Sequence, residues 1–157
     1  MPYSEKFMRE AIRLSKEKME AGEGGPFGAV IVKNGEVVGR GWNRVTSTND
    51  PTAHAEIEAI RNACANRDTF SLEGCEIYSS CEPCPMCLAA IYWARLDALY
   101  FAATRDDAAD AGFDDALLYQ EIEKPWENRT IQTAQHLHDE AHKILDDWNN
   151  NPDKQPY

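Results

Sequence analysis

Two clusters of metal-ligating side chains, His54-Ala55-Glu56 and, thirty positions downstream, Pro83-Cys84-Pro85-Met86-Cys87, constrain this chain more than any other feature. For both to serve one ion, the chain between them must bring them to one point. His54, Cys84 and Cys87 as ligands leave one position of a tetrahedral zinc open, and an open position separates a catalytic zinc from a structural one. Water there can have its pKa lowered from about 15.7 to about 7. Glu56 is assigned the proton shuttle between that water and a substrate. Spacing alone does not give its direction, because positions i and i+2 of a regular helix point about 200° apart. The competing reading is a closed Cys₃His site that includes Cys81 and has no catalytic function. Glu56 argues against it, since a structural zinc has no use for a carboxylate beside its histidine.

Periodicity places these clusters in an alternating pattern. Ser4 to about Ala21 reads as an amphipathic helix that the glycines at 22, 24 and 25 terminate. Phe27–Val32 and Val37–Trp42 read as two strands of a hairpin across Asn34-Gly35. Asp50-Pro51-Thr52 starts a helix running to Asn66, with His54 and Glu56 in its first turn. Glu76–Ser80 and Ala98–Thr104 read as strands, with a helix from Pro85 to Ala94 between them. Asp114–Ile122 and Asp139–Trp148 are helical in pattern, and Ile131–Leu137 is a weak strand candidate. Strands alternating with helices after an opening hairpin imply a three-layer α/β/α sandwich around a mixed central sheet of about five strands. Residues 1–157 are expected to form a single zinc-binding domain, with 149–157 a polar tail that ends in the aromatic Tyr157.

Composition narrows the partners. A net charge of −11 over 157 residues disfavours a polymer with a phosphate backbone, because such binders carry basic faces. No nucleic-acid partner and no membrane partner is expected. No stretch is apolar enough for a signal peptide or a bilayer span, so a cytoplasmic location is expected. Five cysteines, three of them within seven positions, suggest metal or catalysis before disulfides. His136, His138 and His142 are read as solvent-exposed.

H-x-E followed by P-C-x-x-C is the known signature of the zinc deaminases that act on nucleobases. With Gly24-Gly25-Pro26-Phe27-Gly28-Ala29-Val30-Ile31-Val32, Asn49-Asp50-Pro51-Thr52-Ala53-His54-Ala55-Glu56, Cys81-Glu82-Pro83-Cys84-Pro85-Met86-Cys87 and Ala111-Gly112-Phe113-Asp114-Asp115, the chain resembles the cytidine-deaminase-fold superfamily. More narrowly it resembles the short bacterial guanine deaminases, over most of its length. The resemblance implies one zinc per chain on His54, Cys84 and Cys87, catalysis by Glu56, and a nucleobase pocket containing Asn43, Phe27 and a member of the Asp114-Asp115 pair. It also implies a homodimer in which the carboxy-terminal segment, exchanged or not, closes the site with Tyr157. Guanine offers a ring N–H beside its exocyclic amine, an edge that a carboxylate's two oxygens match. The alternatives are a deaminase of another base, a nucleoside, an amino-triazine or transfer-RNA adenosine, and a zinc-stabilised binding module without catalysis.

Overall fold

The structure is a computed structural model that describes residues 2–157, and these divide into two compact units, residues up to 115 and residues 116–157. The first unit holds α1 (Glu5–Glu20), β1 (Gly28–Lys33), β2 (Glu36–Trp42), the one-turn α2 (Val45–Thr48), α3 (Ala55–Arg67), β3 (Cys75–Cys81), α4 (Pro85–Trp93), β4 (Ala98–Ala103) and α5 (Arg105–Asp110). The strand order is β2-β1-β3-β4, with β1 antiparallel to both neighbours and β3 parallel to β4. The hairpin turns at Asn34 and Gly35, whose φ values of 51° and 79° are the positive pair that a two-residue turn of this twist requires.

Alternation along the strands divides the core into two layers. Val30, Val32 and Tyr78 pack beneath Phe7, Met8, Ala11 and Leu14 of α1, the apolar stripe of that helix. Ala29, Ile31, Cys75 and Ile77 point the other way, against Ala55, Ala59 and Ala63 of α3 and Ile91 at the end of α4. The α/β/α layering and the mixed sheet are therefore as the sequence implies, but the sheet has four strands and not about five. Residues 131–137 form no strand among the described residues. Ile131 and Leu137 fall on one face, but Thr133 and Gln135 interrupt it and Ala134 falls on the other, so the segment has no continuous apolar face to bury.

The second unit contains α6 (Ala116–Glu123), a 3₁₀ turn (Trp126–Asn128) and α7 (His138–Asn149). The Glu121 carboxylate ties its turn together, accepting from Thr130 N at 2.7 Å and pairing with Lys124 at 2.6 Å. None of residues 116–157 is buried, and His136, His138 and His142 are exposed as expected. Among the described residues no helix is long and apolar enough to cross a membrane.

One seam sets the position of α3, and with it the first metal-ligating cluster. Gly39 and Gly41 of β2 face the alanines of α3 so closely that a Cβ on Gly41 would lie 2.2 Å from Ala55 O and 2.3 Å from Ala59 N. Both neighbours are backbone and cannot swing aside. Gly41→Ala must therefore push the amino-terminal end of α3 off the sheet. It is expected to destabilise the fold by about 1–3 kcal/mol, the usual range for overpacking, and to weaken zinc retention as well. Thermal unfolding and metal analysis of the variant check this, and an unchanged midpoint would contradict it.

Candidate metal centre and active site

Both metal-ligating clusters sit where a helix begins. His54 is the residue before α3, with φ −73° and ψ 157°, and Cys84 is the residue before α4, with φ −67° and ψ 168°. Each is extended and makes no side-chain capping bond, so each side chain is available for another task. The sequence reading put His54 inside the first helical turn, where Glu56 would point away from it. With His54 extended, the 200° rule for i and i+2 does not apply to the pair. Pro85, at the first position of α4, needs no amide partner and turns the chain so that Cys87 follows in the first turn.

His54 Nδ1 lies 3.5 Å from Cys84 Sγ and 3.5 Å from Cys87 Sγ, and the three ligand atoms are all within 4.8 Å of one another. Zn–S of about 2.3 Å and Zn–N of about 2.0 Å at tetrahedral angles require an N···S separation of about 3.5–3.6 Å, so both N···S separations already stand at zinc spacing. Their protonation points the same way. A hydrogen bond from the Cys87 thiol, aided by His54, pulls the Cys84 thiol down to about 4, while that partnership and burial push Cys87 upward. The hydrogen bond with Cys84 raises His54. Two thiols that share one proton are a poor pair in isolation, and a divalent cation would hold both as thiolates. The amino termini of α3 and α4 add partial positive charge at the same place.

Cys81 stands outside this group. Its Sγ is directed at Thr104 O, 3.6 Å away, and burial raises its thiol to about 11. The three-donor arrangement therefore leaves one tetrahedral position for a non-protein ligand.

Glu56 is 6% exposed, and its Oε1 accepts a hydrogen bond from Ser79 Oγ at 3.0 Å. Burial raises its carboxyl above the usual range, opposed by hydrogen bonds from Cys87 and Ser79. The charges of Cys84 and His54 also act on it, which places it against the donor cluster.

Asn43 is buried just beyond β2, and its Oδ1 accepts from Gly25 N and Val45 N, each at 3.2 Å. Gly24 fits so tightly against it that a Cβ would lie 2.0 Å from Asn43 O. The glycine cluster that ends α1 thus also wraps Asn43, and only its Nδ2 donors remain for another partner. Phe27 is half-buried, packs against the core and meets Phe113 edge to face with ring centroids 4.9 Å apart. Asp115 is half-buried, and burial raises its carboxyl against the pull of Arg105; the Cys84 charge is also felt there. Asp114 is exposed. Tyr157 is 73% exposed and belongs to the second unit. The sequence reading missed Ser79 and Phe113. The first is signalled by a serine on the apolar face of β3, and the second stands inside a motif from which only the aspartates were taken.

Residues 1–103 match the cytidine and deoxycytidylate deaminase zinc-binding region. This chain belongs to the cytidine and deoxycytidylate deaminase family. Within this deaminase family it is 52% identical to a guanine deaminase of Bacillus subtilis over 98% of each chain. The X-ray structure of a guanine deaminase from the same organism superposes with a TM-score of 0.96 at 51% identity, covering 99% of both chains. A tRNA-specific adenosine deaminase of Aquifex aeolicus is 36% identical over 92% of each chain. Zinc is the metal of this family, and the spacing and chemistry of His54, Cys84 and Cys87 fit it.

Replacing Cys84 or Cys87 by Ala is expected to lose bound zinc and activity together, while Cys81→Ser keeps both. Metal content of the purified variants decides this. Loss of zinc from Cys81→Ser as complete as from the other two would restore the closed Cys₃His reading.

Proposed function

We propose that this chain hydrolyses guanine to xanthine and ammonia, with zinc held by His54, Cys84 and Cys87 and with Glu56 as the catalytic residue. The observation that carries the reading is the buried Glu56 carboxyl, hydrogen-bonded at Ser79 and lying against a three-donor cluster. A metal site built only for structure has no need of that carboxyl. The choice of guanine is supported by the Bacillus subtilis relative that matches nearly the whole chain.

Zinc bound to these donors supplies Lewis acidity that brings water within reach of deprotonation near neutral pH. Glu56 takes the proton of the attacking water and delivers it to the ring nitrogen beside the amine-bearing carbon. It then passes the second proton of the added water to the departing amine, so that one water is consumed and one ammonia released. A carboxyl whose affinity for protons is raised by burial suits both halves of that task. Asp115 accepts the donor edge of guanine, Asn43 Nδ2 donates to a ring acceptor, and Phe27 stacks on the base. Asp115 is preferred over Asp114 because it is the more buried of the two and feels the Cys84 charge.

The whole chain, residues 1–157, acts in this reading as one catalytic domain in a homodimer, with residues 149–157 as a lid and Tyr157 as its closing residue. Support for the dimer is that residues 116–157 contain no fully buried residue yet carry exposed Leu117, Ile122, Ile144 and Leu145, while α4 exposes Tyr92 and Trp93. A second copy that exchanges this segment would cover such surfaces. A cytoplasmic location is supported by five free cysteines.

The test is to incubate the zinc-loaded protein with amino-purines, amino-pyrimidines, amino-triazines and transfer RNA and to assay ammonia. Guanine is expected to be the substrate, and ammonia from transfer RNA alone would overturn that choice. Glu56→Gln is expected to keep zinc and lower turnover by at least about 10²–10⁴-fold. Near-normal turnover in that variant would remove Glu56 from the mechanism.

Deleting Asn151–Tyr157 is expected to raise KM or lower kcat for guanine with zinc content and unfolding midpoint nearly unchanged, since a lid acts on closure and not on the core. Steady-state kinetics and sedimentation of the intact and truncated chains measure this. Unaltered kinetics would end the lid proposal.

A further inference from the structure

Ser79 is fully buried on the face of β3 that also carries Cys75, Ile77 and Cys81. Its cross-strand neighbours in register are Ala29 and Phe101. A hydroxyl set among such side chains must find its partners inside the protein. Two are within reach: Glu56 Oε1 at 3.0 Å and the Cys81 carbonyl oxygen at 2.7 Å. The hydroxyl has a single hydrogen, and a carbonyl oxygen can only accept. Ser79 Oγ thus sits between a strand carbonyl and one oxygen of the Glu56 carboxyl.

We propose that Ser79 is a positioning residue whose hydroxyl, bonded at Oε1, holds the Glu56 carboxyl in one orientation. The inference rests on the deaminase reading for its consequences, though not for its geometry. A carboxylate's terminal torsion is broad, so without a fixed partner Glu56 would spread over orientations that do not all reach the attacking water.

The test uses zinc-loaded protein. Ser79→Ala removes the hydroxyl alone, and its kcat for ammonia release from guanine is expected to fall by about 10-fold or more, the scale of one hydrogen bond to a charged group. KM and zinc content are expected to stay near the parent values, because Ser79 touches neither substrate nor a metal donor in this reading. Ser79→Thr, which keeps the oxygen, is expected to recover most of kcat. In a crystal structure of the Ala variant, the Glu56 carboxyl is expected to be displaced or spread over more than one rotamer. If Ser79→Ala yields no folded protein, Ser79→Cys, of similar volume but a weak donor, takes its place in each comparison.

An unchanged kcat with Glu56 unmoved overturns the proposal. So does a loss of activity that follows zinc content, which is the mark of a merely structural role. If the parent protein releases no ammonia from guanine, the deaminase reading fails by itself. The position of Glu56 in the variant crystal then still decides for or against Ser79.

Discussion

The approach of α3 to β2 governs the geometry of the site. Gly39 and Gly41 present no side chain to Ala55, Ala59 and Ala63, so helix and sheet meet at backbone distance. That closeness brings the start of α3 down to the level of β3, and Glu56 within hydrogen-bond reach of Ser79. The first residue beyond the helix, His54, then faces the start of α4, where Pro85 has already turned the chain. A bulkier seam would separate the donors by more than a zinc ion can span. The catalytic reading thus depends on residues that bear no chemistry of their own.

The second consequence concerns electrostatics. Two helix amino termini, two thiols, an imidazole and a carboxyl occupy a volume a few ångströms across. The two thiols are displaced in opposite directions, Cys84 well below and Cys87 above its ordinary range. Burial keeps Glu56 proton-loving beside them. Each of these groups is unfavourable alone in a low-dielectric interior, and each becomes favourable when the others and a divalent ion are present. A net charge of −11 over the chain agrees with a small uncharged substrate.

Much of this was legible in the residues alone. Asn34-Gly35 specified the hairpin because few other pairs tolerate two positive φ values. The donor set was legible because zinc demands particular atoms at particular spacing. Less was visible where tertiary context decides. His54 was read as helical, and only the folded chain reveals it extended, which removes the apparent conflict with Glu56. The helix at Arg105–Asp110 went unread although Thr104 and Asp107 form a capping box, a signal that a six-residue helix gives little periodicity to reinforce. The fifth strand was expected from apolar residues near 131–137 whose face is interrupted by Thr133 and Gln135. Ser79 is invisible to motif reading, since its importance comes from a carboxylate 23 positions earlier in the chain.

The fixed amide of Asn43 carries an implication for selectivity. An asparagine side chain is ordinarily ambiguous, able to turn over and offer either an oxygen or an amino group to whatever arrives. Here the amides of Gly25 and Val45 hold the oxygen, and reversing the group would set its hydrogens against theirs. The ambiguity is thereby removed before any ligand enters. Any molecule settling beside Nδ2 must bring a lone pair, and one of identical outline with a hydrogen at that atom meets two donors face to face.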